Sequence, residues 1–268
     1  MSNVYQEYAV KLAEATPQPE DYTGEDGLLY CGKCRTPKQR YFPEGLKTLG
    51  IDRHRIDCEC EKAKRLEREA AEQRRKHLDT VEDLKRRCFS TERMTMWNFA
   101  NDNDNTPQME YARRYVEHWD KVKADNIGYY LWGDTDSGKS YLAACIANGL
   151  IEKEISVRMT NFTTILNDLG ASFEGRNEYI ERLCRFPLLI IDDLGTELPG
   201  NFVTAALYSL LNDRLLAKKP MVISTNLTVD ELSRRYNPQI ASRLRGSYKR
   251  VAFVGDDIRL LKNRGVLR

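Results

Sequence analysis

Apolar and polar residues show two kinds of spacing along the last two-thirds of the chain. Short apolar runs at 127–132, 188–191 and 221–225 have the length of buried strands, and a further strand is predicted over 155–159. Between them apolar residues recur at helical spacing, which predicts helices over 108–122, 139–150, within 161–184, and over 202–217. Strands that alternate with helices predict an α/β fold, in which a parallel sheet has helices on both faces.

The segment from 61 to 87 has a different pattern, because it is densely charged and its apolar residues are sparse. Oppositely charged residues four positions apart, such as Glu72 and Lys76, support a long helix. A solvated linker helix is the favoured interpretation. The alternative is a helix that contacts phosphates or docks a partner, since basic clusters lie at 74–76 and 85–87.

These patterns divide the chain into three parts. Residues 1–60 are expected to form a small N-terminal domain, 61–88 a charged helical linker and 89–268 the larger α/β domain. The boundary before the larger domain is placed between Arg87 and Phe89, where the charged pattern ends.

The composition is typical of a soluble enzyme and limits the partners. The chain has 268 residues, of which 31% are charged, but its formal net charge is only +2. It therefore lacks the general basic field of a nucleic-acid coat, and any DNA binding must be local. No apolar run approaches the roughly 20 residues of a membrane helix, and residues 1–7 lack the features of a signal peptide. A cytoplasmic protein with no membrane partner is expected.

A glycine-framed loop after the first strand gives the strongest chemical signal. Residues 133–140 match the phosphate-binding pattern G-x-x-x-x-G-K-[ST] at every fixed position, between a strand and a helix. In such a loop, backbone N–H groups face the phosphates of ATP or ADP, Lys139 reaches the β- and γ-phosphates, and the Ser140 hydroxyl ligates Mg²⁺. The predicted nucleotide-binding residues are Gly133, Asp134, Thr135, Asp136, Ser137, Gly138, Lys139, Ser140 and Tyr141.

Two carboxylates follow the apolar run at 188–191, as in a Walker B motif. Asp192 is predicted to hold Mg²⁺, mostly through water, and Asp193 to orient and deprotonate the water that attacks the γ-phosphate. A strand end capped by solvated acids is the alternative. The phosphate loop upstream favours the catalytic interpretation, because two motifs in the right order are more specific than one.

Four of the seven cysteines form two close pairs in the N-terminal segment. Cys31 and Cys34 form a C-x-x-C pair and Cys58 and Cys60 a C-x-C pair, whose four thiolates can close a tetrahedral Zn²⁺ site. His54 is the alternative ligand. A thioredoxin-like redox pair is the rival use of C-x-x-C, but no strand–helix–strand pattern surrounds it and the second pair would be unexplained. The remaining cysteines are expected to be small buried residues: Cys88, Cys145 and Cys184.

The ordered motifs resemble a known family. The phosphate loop and the runs 111–117, 189–195, 224–226 and 240–244 together resemble the AAA+ ATPases of the DnaC/DnaI helicase-loader group, which includes the IstB-type transposition ATPases. The resemblance covers about two-thirds of the chain, from the region of Phe89 onward, and implies an AAA+ P-loop NTPase fold. The cysteine cluster resembles the zinc domain that DnaI-type loaders place before the ATPase.

The resemblance implies roles for three further polar residues. Asn226 matches sensor 1, which helps to hold the attacking water, although a plain strand-ending Asn has the same sequence signature. Arg243 matches the arginine finger, which reaches the nucleotide of a neighbouring subunit, and Arg245 is the nearby rival. Arg259 matches the sensor 2 arginine, which touches the γ-phosphate from the same chain, although a surface charge looks identical in sequence.

Two residues depart from the usual pattern of the family. Asp136 stands where the family has a second glycine, and a positive φ there costs conformational energy while the side chain adds negative charge near phosphate. Asp193 replaces the commoner Glu, which sets its carboxylate back by one methylene. A slow, regulated ATPase with modest nucleotide affinity is therefore expected.

Single-stranded DNA is the other ligand that the resemblance implies. Segments 161–184 and 198–202 occupy the places where loaders grip DNA, and Phe173 and Phe202 are candidates for stacking on bases. Both aromatic residues are equally compatible with a place in the core.

The predicted function is that of an ATP-dependent loader that places a replicative hexameric helicase of the DnaB type on single-stranded DNA. It would act as an oligomer with the arginine finger supplied in trans, and residues 1–60 and the linker would dock the helicase. An IstB-like partner of a transposase is the alternative within the same fold. A zinc-dependent DNA-binding adaptor that binds ATP without hydrolysing it is the alternative of another class.

Overall fold

The computed structural model describes residues 17–42, 52–102, 106–171 and 175–253. Contacts group the chain into two compact units, Met1–His77 and Leu78–Arg268. The division lies earlier than the boundary expected after Arg87, because Val81 and Cys88 are buried in the core of the second unit. The functional division into 1–60, 61–88 and 89–268 stays a prediction.

The first unit contains two antiparallel pairs of very short strands. Strand β1 (Tyr22–Thr23) pairs with β2 (Leu29–Tyr30), and β3 (Gln39–Tyr41) pairs with β4 (Arg53–Arg55). Helix α1 (Glu59–Cys88) begins shortly after the second pair, in agreement with the helix predicted from the charged pattern. The sequence did not predict the four strands, because two or three residues are too few to show an alternating pattern.

The second unit is built on a five-stranded sheet. Its strands are β5 (Gly128–Gly133), β6 (Val157–Asn161), β7 (Leu188–Leu194), β8 (Met221–Thr225) and β9 (Tyr248–Phe253). They lie in the order β6–β7–β8–β5–β9, and every neighbouring pair is parallel. This confirms the predicted α/β fold. Strand β9 was missed, because Lys249 and Arg250 interrupt its apolar pattern.

Helices connect the strands. Those described in the second unit are α2 (Glu92–Thr95), α3 (Pro107–Glu117), α4 (Trp119–Ala124), α5 (Lys139–Ile151), α6 (Phe162–Ala171), α7 (Arg176–Arg185), α8 (Asn201–Leu216), α9 (Val229–Arg235) and α10 (Pro238–Ser247). The single helix predicted over 108–122 is wrong: the chain leaves helical geometry at His118, where ψ is 32°. The apolar spacing continues across this break and gave no sign of it.

Apolar side chains cover both faces of the sheet. Ile190 and Ile191 are consecutive residues of β7, so their side chains point to opposite faces, and both are fully buried. Strands buried on both faces read as continuous apolar runs, which is why they were recognisable in the sequence. Cys88 and Cys145 are buried, as expected, whereas Cys184 is only half-buried. In this parallel sheet, the carboxyl ends of all five strands meet at one edge.

Candidate functional site

The phosphate loop joins β5 to α5 through two glycines in left-handed conformations. Gly133 has a φ of 140°, and a Cβ there would lie 1.9 Å from the carbonyl oxygen of Phe253 on β9. Gly138 has a φ of 95° and immediately precedes α5. Between them Asp136 has a φ of 58°, which favours glycine, as the sequence suggested. A helix N-terminus after such a turn offers backbone N–H groups to a phosphate.

The Lys139 side chain is held within the loop. Its Nζ donates hydrogen bonds to the carbonyl oxygens of Gly133, at 3.0 Å, and Asp134, and to Ser137 Oγ at 3.2 Å. Burial lowers the pKa of Lys139, and nearby carboxylates, that of Asp193 first, oppose this shift. The loop thus gathers a cation and helical N–H groups at the place where the sequence predicts phosphate.

Asp192 meets the phosphate loop at the end of β7. It is buried, and its Oδ1 accepts hydrogen bonds from Ser140 Oγ, at 3.0 Å, and from Ser224 Oγ. Burial raises the pKa of Asp192, the hydrogen bond from Ser224 lowers it, and the charge of Asp193 raises it. Ser140 and Asp192, the two residues predicted to share Mg²⁺, are therefore in direct contact.

The atoms at this contact fit a magnesium ion. Ser140 offers a hydroxyl oxygen and Asp192 a carboxylate, and hard oxygen donors are the ligands that Mg²⁺ prefers. One or two protein ligands are the usual number for Mg²⁺ in nucleotide sites, where phosphate oxygens and water supply the others.

Asp193 has an unusual backbone conformation. Its φ is 52°, and its side chain is exposed. The pairing of β7 with β8 shifts register between Ile191 and Leu194, so that this acid lies in an irregular part of the strand. The charge of Asp193 raises the pKa of both Lys139 and Asp192.

Asn226 follows β8 directly and is exposed. Because β8 lies between β5 and β7, this residue shares the sheet edge with the phosphate loop and Asp192. The preceding Thr225 is fully buried, and its hydroxyl donates to the carbonyl oxygen of Leu194 at 2.6 Å. The strand order therefore places the sensor 1 candidate on the strand next to the one that carries Asp192.

The two candidate arginine fingers on α10 have different partners. A terminal nitrogen of Arg243 donates to the Tyr208 hydroxyl at 2.9 Å, and the guanidinium carbon lies 4.8 Å from the ring centroid. Arg245 forms an ion pair with Asp230. Arg243 is thus held by a neutral side chain and Arg245 by a carboxylate. Arg259 lies outside the described residues.

The side chain of Tyr141 contacts the segment before α3. Its hydroxyl donates to the carbonyl oxygen of Asn98 at 3.0 Å, and its ring centroid lies 5.7 Å from that of Trp97. The side chain of Tyr141 thus contacts Asn98 and Trp97, and its contact with the nucleotide stays a prediction.

The four N-terminal cysteines come together in the first unit. The Sγ atoms of Cys31, Cys34, Cys58 and Cys60 all lie within 4.8 Å of one another, close enough for one tetrahedral Zn²⁺ ion to bind all four. His54 is not in this group, and its ring instead lies 4.7 Å from that of Phe42. The chemistry and grouping of the donors fit zinc.

The surroundings shift the acidities of two of these thiols in opposite directions. A hydrogen bond with the Thr36 hydroxyl lowers the pKa of Cys34 to about 5, whereas burial raises the pKa of Cys58 to about 12. Beside the cluster, the buried Lys38 forms ion pairs with Asp21 at 2.8 Å and Glu61 at 3.3 Å. Backbone N–H and carboxylate contacts, such as Gly32 to Asp21, tie the loops together.

One of the two proposed DNA-stacking residues can be described. Phe202 is 45% exposed, and the guanidinium carbon of Arg176 lies 4.8 Å from its ring centroid. Leu198, in the preceding loop, is 85% exposed. Phe202 is therefore a surface residue rather than a core residue, and Phe173 lies outside the described residues.

Two residues at the sheet edge were missed as candidates. Ser224 was noted only within its motif, yet its hydroxyl contacts both Asp192 and the backbone N–H of Asp193. Glu197 is buried, and its carboxylate accepts hydrogen bonds from the backbone N–H of Gly195, at 3.1 Å, and from the Tyr236 hydroxyl. For Ser224, the only signal in the sequence was a serine within an apolar strand. For Glu197 there was none, because an acid in a polar loop is ordinary.

Within the described ranges, no helix is both long and apolar enough to cross a bilayer.

The chain is similar in sequence to known proteins. A family model described as IstB-like ATP binding protein matches residues 60–244. YqaM of Bacillus subtilis (strain 168) is 29% identical over 227 residues, which are 80% of this chain and 65% of that protein. The replicative helicase loader DnaC of Escherichia coli (strain K12) is 26% identical over 139 residues, which are 50% of this chain and 55% of DnaC. The chain thus spans less than two-thirds of the length of either relative.

A solved structure supports the fold. The crystal structure of DnaI matches with a TM-score of 0.54 at 22% sequence identity, and the match covers 63% of this chain and 94% of that one. The likeness confirms the predicted AAA+ P-loop fold of the second unit.

Proposed function

The chain belongs to the family of IstB-like ATP-binding proteins, and on that premise we propose that it is an ATP-dependent loader of a replicative helicase. In this proposal the protein binds a hexameric helicase of the DnaB type and places it on single-stranded DNA. The similarity to DnaC supports this role, and the fold shared with DnaI is compatible with it.

The observation that carries the ATPase part of the proposal is the contact between the phosphate loop and β7. Ser140 and Asp192 share a hydrogen bond, and the Lys139 ammonium lies in the same loop. A hydroxyl, a carboxylate and a cation are thereby assembled where the triphosphate of ATP would lie. When bound, Mg²⁺ would neutralise charge that develops on the β- and γ-phosphates.

The protein's own residues divide the work of hydrolysis. Lys139 leaves its loop carbonyls for the phosphate oxygens, and the N-terminus of α5 binds the phosphates through backbone N–H groups. Asp193 accepts the proton of the attacking water, and Asn226 orients that water. The Arg243 guanidinium of a neighbouring subunit stabilises the charge of the transition state, and Arg259 contacts the γ-phosphate from the same chain.

Two residues of the site favour slow hydrolysis of ATP. Asp136 adds negative charge to the phosphate loop at a φ of 58°, and Asp193 is a short acid held at a φ of 52°. Both features lower the affinity for ATP or the rate of its hydrolysis relative to a loop with glycine and a strand with glutamate. The nucleotide therefore acts as a switch that changes affinity for a partner.

The partners are assigned to different parts of the chain. The cysteine cluster of the first unit would bind zinc and, with the charged helix, dock the helicase. Single-stranded DNA would stack on the exposed ring of Phe202, and Arg176 would add a cation beside it. Oligomers would multiply such weak contacts along the strand.

A pull-down tests partner and switch together. The purified chain is immobilised and incubated with a DnaB-type helicase in ATP or in ADP, with and without single-stranded DNA. We expect helicase to be retained with an affinity that differs between the nucleotides, and a Lys139→Ala variant to lose that difference. Absence of retention in both nucleotides would refute the loader function, and capture of a transposase in its place would assign the chain to the transposition branch of the family.

A further inference from the structure

We propose that Ser224 is a positioning residue of the ATP site, whose single hydroxyl holds both acidic residues at the end of β7 in place for magnesium and water. This inference rests on the proposed ATPase function and concerns the same site. Ser224 would act through Asp192 and Asp193.

The Ser224 hydroxyl makes two hydrogen bonds whose directions are fixed by chemistry. The backbone N–H of Asp193 can only donate, so Ser224 Oγ accepts from it, at 2.9 Å. The hydroxyl proton is then free for the carboxylate of Asp192, and it is donated to Oδ1. One side chain thus fixes a backbone group of one acid and the carboxylate of the other.

The irregularity of β7 explains why a side chain, and not the backbone of β8, accepts the hydrogen bond from the N–H of Asp193. Ile191 pairs with Ile223 and Leu194 with Thr225, so three steps along β7 face two steps along β8. This is the count of a β-bulge, in which an extra residue disrupts the ladder of backbone hydrogen bonds. Ser224 lies opposite the extra residue and bonds the N–H of Asp193 with its hydroxyl.

The bulge and the Ser224 hydroxyl also hold the backbone of Asp193 in an unfavourable conformation. Asp193 has a φ of 52°, which is unfavourable for a residue with a side chain. Such a conformation persists only where neighbouring groups fix it, and Ser224 is fully buried and supplies one such group. The direction of the water-activating carboxylate therefore depends on a residue of the neighbouring strand.

The second contact selects one oxygen of Asp192. Ser224 and Ser140 both donate to Oδ1, so neither of these hydroxyls occupies Oδ2. The carboxylate is held from two sides, by the phosphate-loop helix and by β8. Hydrogen bonds to the charged form favour an ionised carboxylate, which is the form that binds a cation. Loss of the Ser224 hydroxyl would leave Ser140 as the single hydroxyl donor of this pair and permit the carboxylate to rotate.

Thr225 provides a matched comparison within the same strand. It is also fully buried, and its hydroxyl donates to the carbonyl oxygen of Leu194 and accepts from the backbone N–H of Leu227 at 3.1 Å. Both of these contacts are with backbone atoms, and neither atom belongs to Asp192 or Asp193. Removal of the hydroxyl by Thr225→Val therefore perturbs the strand end while both hydrogen bonds of Ser224 to the acids are kept.

The experiment compares magnesium dependence of nucleotide binding in four proteins: wild type, Ser224→Ala, Ser224→Thr and Thr225→Val. The affinity for a fluorescent ATP analogue is measured in full-length protein with Mg²⁺ and in buffer without added Mg²⁺, and thermal unfolding verifies the fold. We expect Ser224→Ala to reduce the gain in affinity from Mg²⁺ about tenfold or more, because a hydrogen bond to a charged group is lost. Affinity without Mg²⁺ should change less than about twofold.

The two remaining variants decide whether the effect is specific. Ser224→Thr keeps the hydroxyl and should restore the gain from Mg²⁺, whereas Thr225→Val should retain it. An unchanged gain in Ser224→Ala, an equal loss in Thr225→Val, or no rescue by a folded Ser224→Thr would each overturn the inference while leaving the ATP site intact. Absence of ATP binding by the wild type would instead overturn the proposed function together with this inference.

Discussion

The hydroxyl of Ser140 donates a 3.0 Å hydrogen bond to Oδ1 of Asp192, which lies 52 positions further along the chain. The two residues belong to different motifs, and they meet because parallel strands end at one edge of the sheet. This contact places the phosphate loop and the acidic strand end in one site. Nucleotide binding and the proposed hydrolysis should be separable by mutation, because different residues are proposed to serve each.

Substitution of Lys139 should abolish nucleotide binding. The Lys139 ammonium is the cation of the phosphate loop, and Lys139→Ala would remove the charge-assisted hydrogen bonds that we propose it makes to phosphate. We expect the affinity for ATP to fall about 100-fold or more, measured by titration with a fluorescent analogue. Lys123→Ala, at an exposed lysine of α4, is the control and should bind as wild type does.

Substitution of Asp193 should stop hydrolysis and leave binding intact. Asp193→Asn keeps a side chain that tolerates positive φ but cannot accept the proton of the attacking water. Release of phosphate should fall by about 10²- to 10⁴-fold, while affinity for ATP changes little. Equal and negligible hydrolysis by wild type and variant, with and without single-stranded DNA, would favour an adaptor that binds ATP without turnover.

Substitution of Arg243 should reveal whether the ATP site is shared between subunits. Arg243→Ala should lower hydrolysis by on the order of 10³-fold, because an arginine finger stabilises charge in the transition state. Arg245→Ala, which loses an ion pair with Asp230, is the matched control and should retain hydrolysis.

A mixing experiment tests the same idea in a way that a loss of stability in either variant cannot imitate. Lys139→Ala subunits cannot bind ATP but carry the finger, and Arg243→Ala subunits bind ATP but lack it. Mixing these two inactive proteins should restore hydrolysis. If the mixture stays inactive while Arg245→Ala alone is impaired, the finger is Arg245.

Removal of zinc should unfold the first unit. The described strands of this unit are two or three residues long, and few aliphatic side chains are buried within residues 17–42 and 52–77. We therefore expect the unit to depend on a metal, so Cys58→Ser should reduce bound zinc and loosen the unit. Zinc content and proteolysis of the N-terminal region measure both effects. Cys184→Ser replaces a half-buried cysteine outside the cluster and should keep the zinc.

The affinity for zinc should fall as pH falls. Burial raises the pKa of Cys58 to about 12, so in the absence of metal this thiol keeps its proton throughout the physiological range. Zinc must displace that proton, and binding therefore releases protons and weakens as their concentration rises. A zinc affinity that is constant between pH 8 and pH 6 would contradict a thiolate site.

Addition of a Cβ at Gly133 should damage the phosphate loop. In Gly133→Ala the new atom would lie 1.9 Å from the Phe253 carbonyl oxygen and would stand at a φ of 140°. The free energy of unfolding should fall by about 2 kcal/mol or more, measured by urea denaturation. In Gly170→Ala the new Cβ would meet no atom within 4 Å beyond its chain neighbours and the backbone of its own helix, so this variant should be neutral or stabilise α6 by up to about 1 kcal/mol.

The local patterns identified many of the parts correctly. Met221–Thr225 is a strand with the bounds that its apolar run predicted, and the phosphate loop lies between a strand and a helix. The four cysteines meet as their spacing suggested. These features were readable because strand burial and loop glycines leave signals within a few consecutive residues.

Other features left no local signal. The helix predicted over 108–122 breaks at His118, although its apolar spacing continues. Strand β9 was hidden by its charged residues, and the importance of Ser224 depends on a bulge in a different strand. The pairing of β9 and the contacts of Ser224 depend on segments that are distant in the chain, which single-sequence patterns do not contain.

The sequence alone determined the alternation of strands and helices, the phosphate loop, the acidic strand end and the cysteine pairs. Only the tertiary structure decided that β8 lies between β5 and β7, and therefore that Ser224 and Ser140 hold the same oxygen of Asp192. The reason is physical: local propensity fixes which segments become strands, whereas their order and register come from packing the whole sheet between its helices.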